Sequence, residues 1–169
     1  AGGLAWVGGR VSVGGQPALT QPGPPTLDCA GKYLPPGMVA VHSHLGVYPA
    51  PGGNALSDGN EATNPVTANV WAEHSVWPQD PQFPRNLAGG VTTLQVLPGS
   101  ANLIGGRSVV LKVVPSRTVQ GRKVPGAKYG LKMACGENPK RAYAQRGPST
   151  GRGNVAGYRT AWINAAAYR

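Results

Sequence analysis

The sequence predicts an α/β fold, and three features of the chain indicate this class. Two apolar runs rich in β-branched residues, MVAVHSH at 38–44 and VTTLQVL at 91–97, are typical of strands. The interval between them is long enough for the crossover connection that two parallel strands require. The C-terminal stretch 154–169 has a helical composition, with apolar residues at helical spacing.

Further elements are predicted from turn residues and local composition. The strand at 38–44 follows a break at Pro35-Pro36-Gly37 and is apolar enough to be buried on both faces. The gap between 97 and 108 hardly holds a crossover helix, so the apolar run at 108–114 is expected to pair locally. The remaining predicted elements are, in chain order, a hairpin at 4–13 around Gly8-Gly9, a loop at 14–26, a turn at 28–31, a long loop at 49–69, a short helix within 66–75, a helix end at 85–89 capped by Gly89-Gly90, and a weak strand at 129–136.

The composition is that of a globular protein with many loops. The 169 residues include 26 glycines and 17 prolines, yet apolar runs recur between these turn-forming residues. Cys29 and Cys135 lie far apart in no metal-binding spacing, so they predict no disulfide framework and indicate no compartment. The sequence contains no run of 18 apolar residues, so it predicts no membrane span. No intact signal peptide is visible either.

The positive charge is concentrated in the second half of the chain. From residue 107 to residue 169 there are thirteen Lys or Arg and a single acidic residue, Glu137. A basic half of this kind can bind nucleic acid, another anionic polymer, a membrane surface or an acidic partner, and it can also be ordinary solvated surface. No RNA-recognition, KH, zinc-finger or helix-turn-helix pattern accompanies the charge, so nucleic acid is the less favoured partner.

Two histidines stand one residue apart at the end of the first apolar strand. Residues i and i+2 of a strand point to the same side, so His42 and His44 are expected to project together, with Ser43 on the other face. The carboxyl ends of strands are where α/β folds bind ligands. Two neutral imidazoles at such a place can bind a divalent metal such as zinc. The alternative is a pair of structural histidines with hydrogen-bonded rings.

Three segments of the chain resemble the amidohydrolase superfamily. YLPPGMVAVHSHLGVY resembles the first barrel strand, where a Pro-Gly, an apolar run and a HxH pair follow each other. GGVTTLQVLPGSANLIGGRSVVLK and YGLKMACGENPKRAY are similar to the branch near imidazolonepropionases and metal-dependent dipeptidases. The resemblance extends over nearly the whole chain. It implies a partial (β/α)8 TIM-type barrel at 38–169, preceded at 1–37 by short strands of a flanking β-sandwich domain.

The resemblance also implies roles for individual residues. His42 and His44 match the first two ligands of a divalent metal, expected to be zinc, and Lys132 resembles the lysine that some members carboxylate to bridge two metals. Gly90, Thr92 and Thr93 match a structural motif on the second strand.

Other polar residues are candidates from their positions alone. The loops after the strands place Asp58, Asn60, Glu61, Ser100 and Asn102 where they are expected to contact substrate. His74, with Glu73 beside it, is expected to hydrogen-bond within the site.

The resemblance covers too few residues for a complete enzyme. A (β/α)8 barrel takes about 250 residues, whereas only 132 run from Met38 to Arg169. The later metal ligands of the family have no match here. We therefore expect an N-terminal fragment or subunit of a metal-dependent amidohydrolase acting on the C–N bond of a small amide, cyclic amide or short peptide.

This incompleteness also predicts a partner. An open half barrel would leave sheet edges and apolar faces exposed. We expect the remaining barrel strands on another chain, or a homo-oligomeric copy, to cover them, and the chain alone to be inactive. The alternatives are a basic protein that binds an anionic polymer or nucleic acid, and a non-catalytic structural subunit.

Overall fold

The computed structural model describes residues 3–7, 10–14 and 31–168. The chain divides into two compact units, residues 1–35 and residues 36–169. The first unit contains an antiparallel pair, β1 (Gly3–Val7) and β2 (Arg10–Gly14). This pair confirms the predicted hairpin. Gly14, the first residue of the loop predicted at 14–26, belongs to β2, whereas residues 15–26 of that loop, the hairpin turn and Cys29 lie outside the described residues.

The second unit contains five strands and three α-helices among its described residues. They are β3 (Met38–Ser43), α1 (Gln82–Ala88), β4 (Val91–Val96), β5 (Ile104–Arg107), β6 (Val109–Lys112), β7 (Leu131–Met133), α2 (Glu137–Ala142) and α3 (Gly151–Tyr168). Single 3-10 turns occur at Asn54–Leu56, Ala72–His74 and Gln120–Arg122. The content is therefore mixed α and β, as the sequence predicts.

The main sheet has three strands in the order β3-β4-β6. β3 and β4 are parallel, in a register that places Met38 beside Val91 and Ser43 beside Val96. This confirms the predicted crossover between the two apolar runs. β6 pairs with β4 antiparallel, which confirms that this strand pairs locally. β5 and β7 form a separate antiparallel pair in which Gly106 lies beside Lys132.

The hydrophobic core lies on one face of the main sheet. Alternate residues of β4 (Leu94, Val96) and of β6 (Val109, Leu111) are buried, and Phe83 of α1 packs with them. This alternation is what a sheet covered on one side requires. The β-branched residues of β4 thus serve both strand formation and the core.

The expectation that the strand at 38–44 is buried on both faces is wrong. Val39 and Val41 of β3 are 65% and 73% exposed. β3 lies at the edge of the sheet, and among the described residues its only strand neighbour is β4. The predicted C-terminal helix is confirmed as α3, but its apolar residues Trp162 and Ile163 are 54% and 60% exposed. Both elements are apolar without being covered in this structure.

Three local features depart from the prediction. The expected helix within 66–75 is wrong, because Val66 and Trp71 instead form bridges to β5 and leave only one 3-10 turn. The strand β5 was not predicted, since Gly105 and Gly106 weaken any strand signal. The six-residue helix α2 was also missed. The predicted cap at Gly89 is confirmed, its N–H donating to the Arg85 carbonyl at 3.1 Å.

No helix among the described residues combines the length and the apolar character that crossing a membrane would require.

Candidate metal and substrate site

The two histidines of the HxH pair lie side by side at the carboxyl end of β3. Their ring centroids are 5.2 Å apart and the rings meet at 88°. The Nδ1 atom of His44 lies 2.9 Å from the carbonyl oxygen of Leu97, which follows β4. A carbonyl only accepts, so Nδ1 carries the proton and a neutral His44 ring has its lone pair on Nε2. A fixed Nδ1–H donor of this kind is the usual support of a metal-binding imidazole.

Tyr48 packs against the ring of His44. Its ring meets that of His44 at 82°, with centroids 5.7 Å apart. The side-chain amide of Asn60 donates to the Tyr48 hydroxyl oxygen. Gly59 and Gly99 lie against the Tyr48 side chain, where a Cβ atom on either residue would clash with it. Burial raises the pKa of Tyr48, and the hydrogen bond from Asn60 opposes that effect.

Lys132 lies on β7 and is buried, with 8% of its surface exposed. Burial lowers the pKa of Lys132. The positive charge of Lys132 is in turn the largest cause that lowers the pKa of His42, followed by burial and by His44. A Cβ atom on Gly105 would lie 3.6 Å from Cγ of Lys132 and 3.4 Å from Cβ of Pro98, so Lys132 lies close to the segment after β4 that contacts His44 through Leu97.

These residues fit a metal as part of a ligand set. A lowered pKa keeps the His42 imidazole neutral, which is the form that binds metal. In the described part of the chain, however, no group of three or more His, Cys, Asp or Glu side chains is placed to hold a metal ion. The donors present are two imidazoles and the Lys132 amine, so a complete site needs further ligands.

Two cavities adjoin the histidine pair and the loop that follows it. The first has a volume of about 380 Å³ and is lined by, among others, His44, Tyr48, Asn60, Ser100, Asn138 and Arg141. The second has a volume of about 500 Å³ and is lined by, among others, Asp58, Asn60, Glu61, Trp71 and His74. Asn60 contributes to both. Of the residues expected to contact substrate, Asn60 and Ser100 thus lie beside His44, while Asp58 and Glu61 line the second cavity.

Asn102 lines neither of these cavities. It is 1% exposed, and its Nδ2 atom donates to the carbonyls of Glu61 and Asn64 at 2.5 and 2.8 Å. The same amide lies 3.0 Å from the hydroxyl of Tyr143, just beyond α2. The structure therefore places Asn102 as an internal link between the loop at 61–67 and the region of α2, where a substrate does not reach it.

Glu73 and His74 form a separate cluster. The Oε2 atom of Glu73 lies 2.7 Å from Nζ of Lys123 and accepts from the Tyr129 hydroxyl at 3.1 Å. His74 is exposed and stacks on Trp71, with its Nε2 atom 3.7 Å from Glu73 Oε1. Glu73 is therefore occupied by an ion pair with Lys123 and is not directed at the histidine pair.

Gly90, Thr92 and Thr93, the residues of the second-strand motif, lie at the start of β4. This is the end of the parallel β3–β4 pair that is opposite to His42 and His44. Gly90 has a φ of +89°, and its carbonyl accepts from the N–H of Met38 at 2.9 Å. Thr92 lies against Gly37, where a Cβ atom would clash. These contacts start the pairing of β3 with β4, as a structural motif would. None of these contacts brings a reactive group near His42.

Three polar side chains of the first cavity were not predicted as site residues: Tyr48, Asn138 and Arg141. Tyr48 stands four residues after His44, a spacing that carries no signal of its own. Asn138 and Arg141 belong to α2, inside the segment YGLKMACGENPKRAY. Placing them beside His44 requires the packing of α2, which the sequence alone does not supply.

Comparison with known proteins gives two matches and one negative result. No family model matches the chain. It is 39% identical over 150 residues to the amidohydrolase tasK of Hapsidospora irregularis, covering 82% of this chain and 15% of that protein. It is 42% identical to the crystal structure of an amidohydrolase from Thermotoga maritima MSB8, with a TM-score of 0.86, covering 98% of this chain and 43% of that one.

The chain thus spans less than half the length of each of these relatives. The identities are too high, and the structural agreement too close, for a chance likeness. This chain therefore belongs to the amidohydrolase family.

Proposed function

We propose that this chain is the N-terminal part of a metal-dependent amidohydrolase that hydrolyses a C–N bond. The single observation that carries the proposal is the HxH pair: two imidazoles within 5.2 Å at the carboxyl end of a parallel strand, one of them fixed by the Leu97 carbonyl. The names of the two relatives support the hydrolase class. The metal, expected to be zinc, is supported by the chemistry of the donors.

In this proposal each residue has a defined task. A bound metal would supply an activated water and would polarise the scissile carbonyl. His42 and His44 would hold that metal, and Leu97 would orient the His44 ring through its carbonyl. Lys132 is proposed as a further ligand after its amine has reacted with CO₂, because it is buried and burial lowers the pKa of that amine. The cavity beside His44 would hold the substrate, a small amide, a cyclic amide or a short peptide.

The remaining ligands are proposed to come from polypeptide outside this chain. The chain spans 43% of the solved relative, and β3 leaves Val39 and Val41 exposed. We propose that further barrel strands, on another chain or on a symmetric copy, cover this edge and complete the partial (β/α)8 barrel at 38–169. Residues 1–37 are proposed to belong to a flanking β-sandwich domain. The chain alone is then expected to show no hydrolysis.

Metal content tests the proposal directly. The purified chain is equilibrated with zinc by dialysis and analysed for zinc bound per chain at equilibrium, because a site of two imidazoles binds zinc too weakly to hold it through gel filtration, together with His42→Ala, His44→Ala and the control Ser43→Ala. We expect bound zinc in the wild type and in Ser43→Ala, and its loss in both histidine variants. A wild type that retains no zinc, or histidine variants that retain as much as the wild type, would overturn the proposal.

A further inference from the structure

The first cavity, beside His44, is lined by hydrogen-bond donors and by no acidic residue. We propose that it binds the carboxylate of the substrate and that Arg141 is the residue that determines this specificity. The inference rests on the proposed function in one respect, since it assigns the carboxylate to the molecule whose C–N bond is hydrolysed. Neither the HxH pair nor the comparisons with relatives assign a role to Arg141.

Two hydroxyl groups of this cavity have a proton to donate. The Tyr48 oxygen already accepts from the side-chain amide of Asn60, so its own O–H is available to a ligand. The Ser100 oxygen accepts from Nδ2 of Asn138 at 2.6 Å, which leaves its O–H available in the same way. The hydroxyl groups of Tyr48 and Ser100 can therefore each donate a hydrogen bond, and this favours a ligand with acceptor atoms.

Arg141 gives the cavity its positive charge. Its Nε atom donates to Oε1 of Glu137 at 3.2 Å on the exposed surface of α2, and this contact does not use the two terminal nitrogens of the guanidinium. Glu137 also forms an ion pair with Lys140, whose Nζ lies 2.8 Å from Oε2. These terminal nitrogens can offer two N–H groups to one carboxylate, the geometry in which arginine binds most strongly.

Together these donors favour a carboxylate over a neutral group. A carboxylate can accept from a guanidinium and from two hydroxyls, because its two oxygens offer about four acceptor positions. A primary amide of the same shape offers one oxygen and would place an NH₂ group against donors. The volume of the cavity, about 380 Å³, is large enough for an organic acid of moderate size.

The test compares an acid with its amide in metal-free protein. Binding of 3-phenylpropanoate and of 3-phenylpropanamide is measured by NMR titration of the side-chain amides of Asn60 and Asn138, after removal of metal on a chelating resin. The variants are Arg141→Met and Arg141→Lys, with Arg152→Met on α3 as the matched control. Arg141 is largely exposed, so its replacement leaves the fold intact.

We expect the wild type and Arg152→Met to bind the acid at least about tenfold more tightly than the amide. Arg141→Met should lose this preference, and Arg141→Lys should keep only part of it because the planar fork is gone. Equal binding of acid and amide by the wild type, no binding of either probe, or an unchanged preference in Arg141→Met would overturn the inference. Since no metal is present, its failure is separate from a failure of the zinc experiment.

Discussion

The rings of His42 and His44 lie edge to face, with centroids 5.2 Å apart, although His44 is one residue beyond the last residue of β3. The contact between His44 and the Leu97 carbonyl explains this position. Leu97 also donates its N–H to the Ser43 carbonyl at 2.9 Å, so the ends of β3 and β4 are joined through the HxH segment. The geometry of the pair is thus set by the pairing of two strands.

Exchanging Ser43 and His44 tests whether this geometry, and not merely the histidine content, binds zinc. The variant Ser43→His/His44→Ser keeps the composition but moves one imidazole to the opposite face of the chain. We expect its zinc affinity, measured by isothermal titration calorimetry, to fall at least about tenfold, as a lost ligand requires. An affinity equal to that of the wild type would show that zinc is held elsewhere.

Gly59→Ala tests the packing of Tyr48 beside His44. A Cβ atom at residue 59 would overlap the Tyr48 ring, which is also held by Asn60 and by Gly99. Overpacking of this kind costs about 1–3 kcal/mol of the free energy of unfolding. Urea unfolding measures it, with Gly52→Ala as the control because nothing lies within 4 Å of a Cβ there. An equal effect of both variants would contradict the close packing of Tyr48.

The sequence predicts those parts of the fold whose signal is local. The β-branched run that forms β4 alternates between the core and the other face, and its neighbour Gly89 ends α1, so both elements are recognisable from a few residues. The HxH pair is local in the same sense, since a spacing of two residues places both imidazoles on one side. These are the features that the structure reproduces most directly.

What could not be predicted depends on contacts between distant residues. The apolar run of β3 indicates burial, but whether anything covers Val41 is a property of its surroundings and not of the run. Lys132 comes near the segment that follows β4 only because β7 pairs with β5, a strand whose two glycines conceal it. Asn102 resembles other polar loop residues in sequence, and only the fold shows that its amide is enclosed.

Asn102→Ala tests whether this residue is an internal link. Its amide donates to the Glu61 and Asn64 carbonyls and lies 3.0 Å from the Tyr143 hydroxyl, so its removal breaks a hydrogen-bond network around a side chain that is 1% exposed. We expect a loss of about 1–3 kcal/mol in the free energy of unfolding. The exposed Asn164 on α3 provides the control, Asn164→Ala, which should change stability by less than about 0.5 kcal/mol. A cost no larger than the control's would leave Asn102 without a structural role.

The ion pair of Lys123 with Glu73 predicts a pH dependence of stability. Hydrogen bonds to Glu73 and then to Tyr129 raise the pKa of Lys123 above its usual value. Because the folded pKa is the higher one, the contribution of Lys123 is fully present below its unfolded pKa and is lost as the pH rises through the folded pKa.

Lys123→Met measures that contribution. It should destabilise the protein by about 1 kcal/mol or less at neutral pH, since the Lys123 side chain is 27% exposed. The difference from the wild type should shrink as the pH is raised above about 10.5. Urea unfolding at several pH values checks this, with Lys128→Met at an exposed position as the control. A difference that grows with rising pH would contradict the sign of the shift.

Val41→Thr tests whether the outer face of β3 is open in this chain. Val41 is 73% exposed, whereas Val96 of β4 is fully buried in the core. Threonine has nearly the shape of valine, so the two substitutions differ mainly in whether a hydroxyl is moved out of water. In the isolated chain we expect Val41→Thr to change the free energy of unfolding by less than about 0.5 kcal/mol, and Val96→Thr to cost about 1–3 kcal/mol.

The same pair of variants also reports on a covering partner. If further barrel strands pack on β3, Val41→Thr should become costly in the assembled protein while the cost of Val96→Thr stays the same, because only Val41 gains burial on assembly. Unfolding of the chain alone and of the assembled protein gives both values. If Val41→Thr already costs as much as Val96→Thr in the monomeric chain, as judged by analytical ultracentrifugation, then the face of β3 is covered from within the chain and needs no partner.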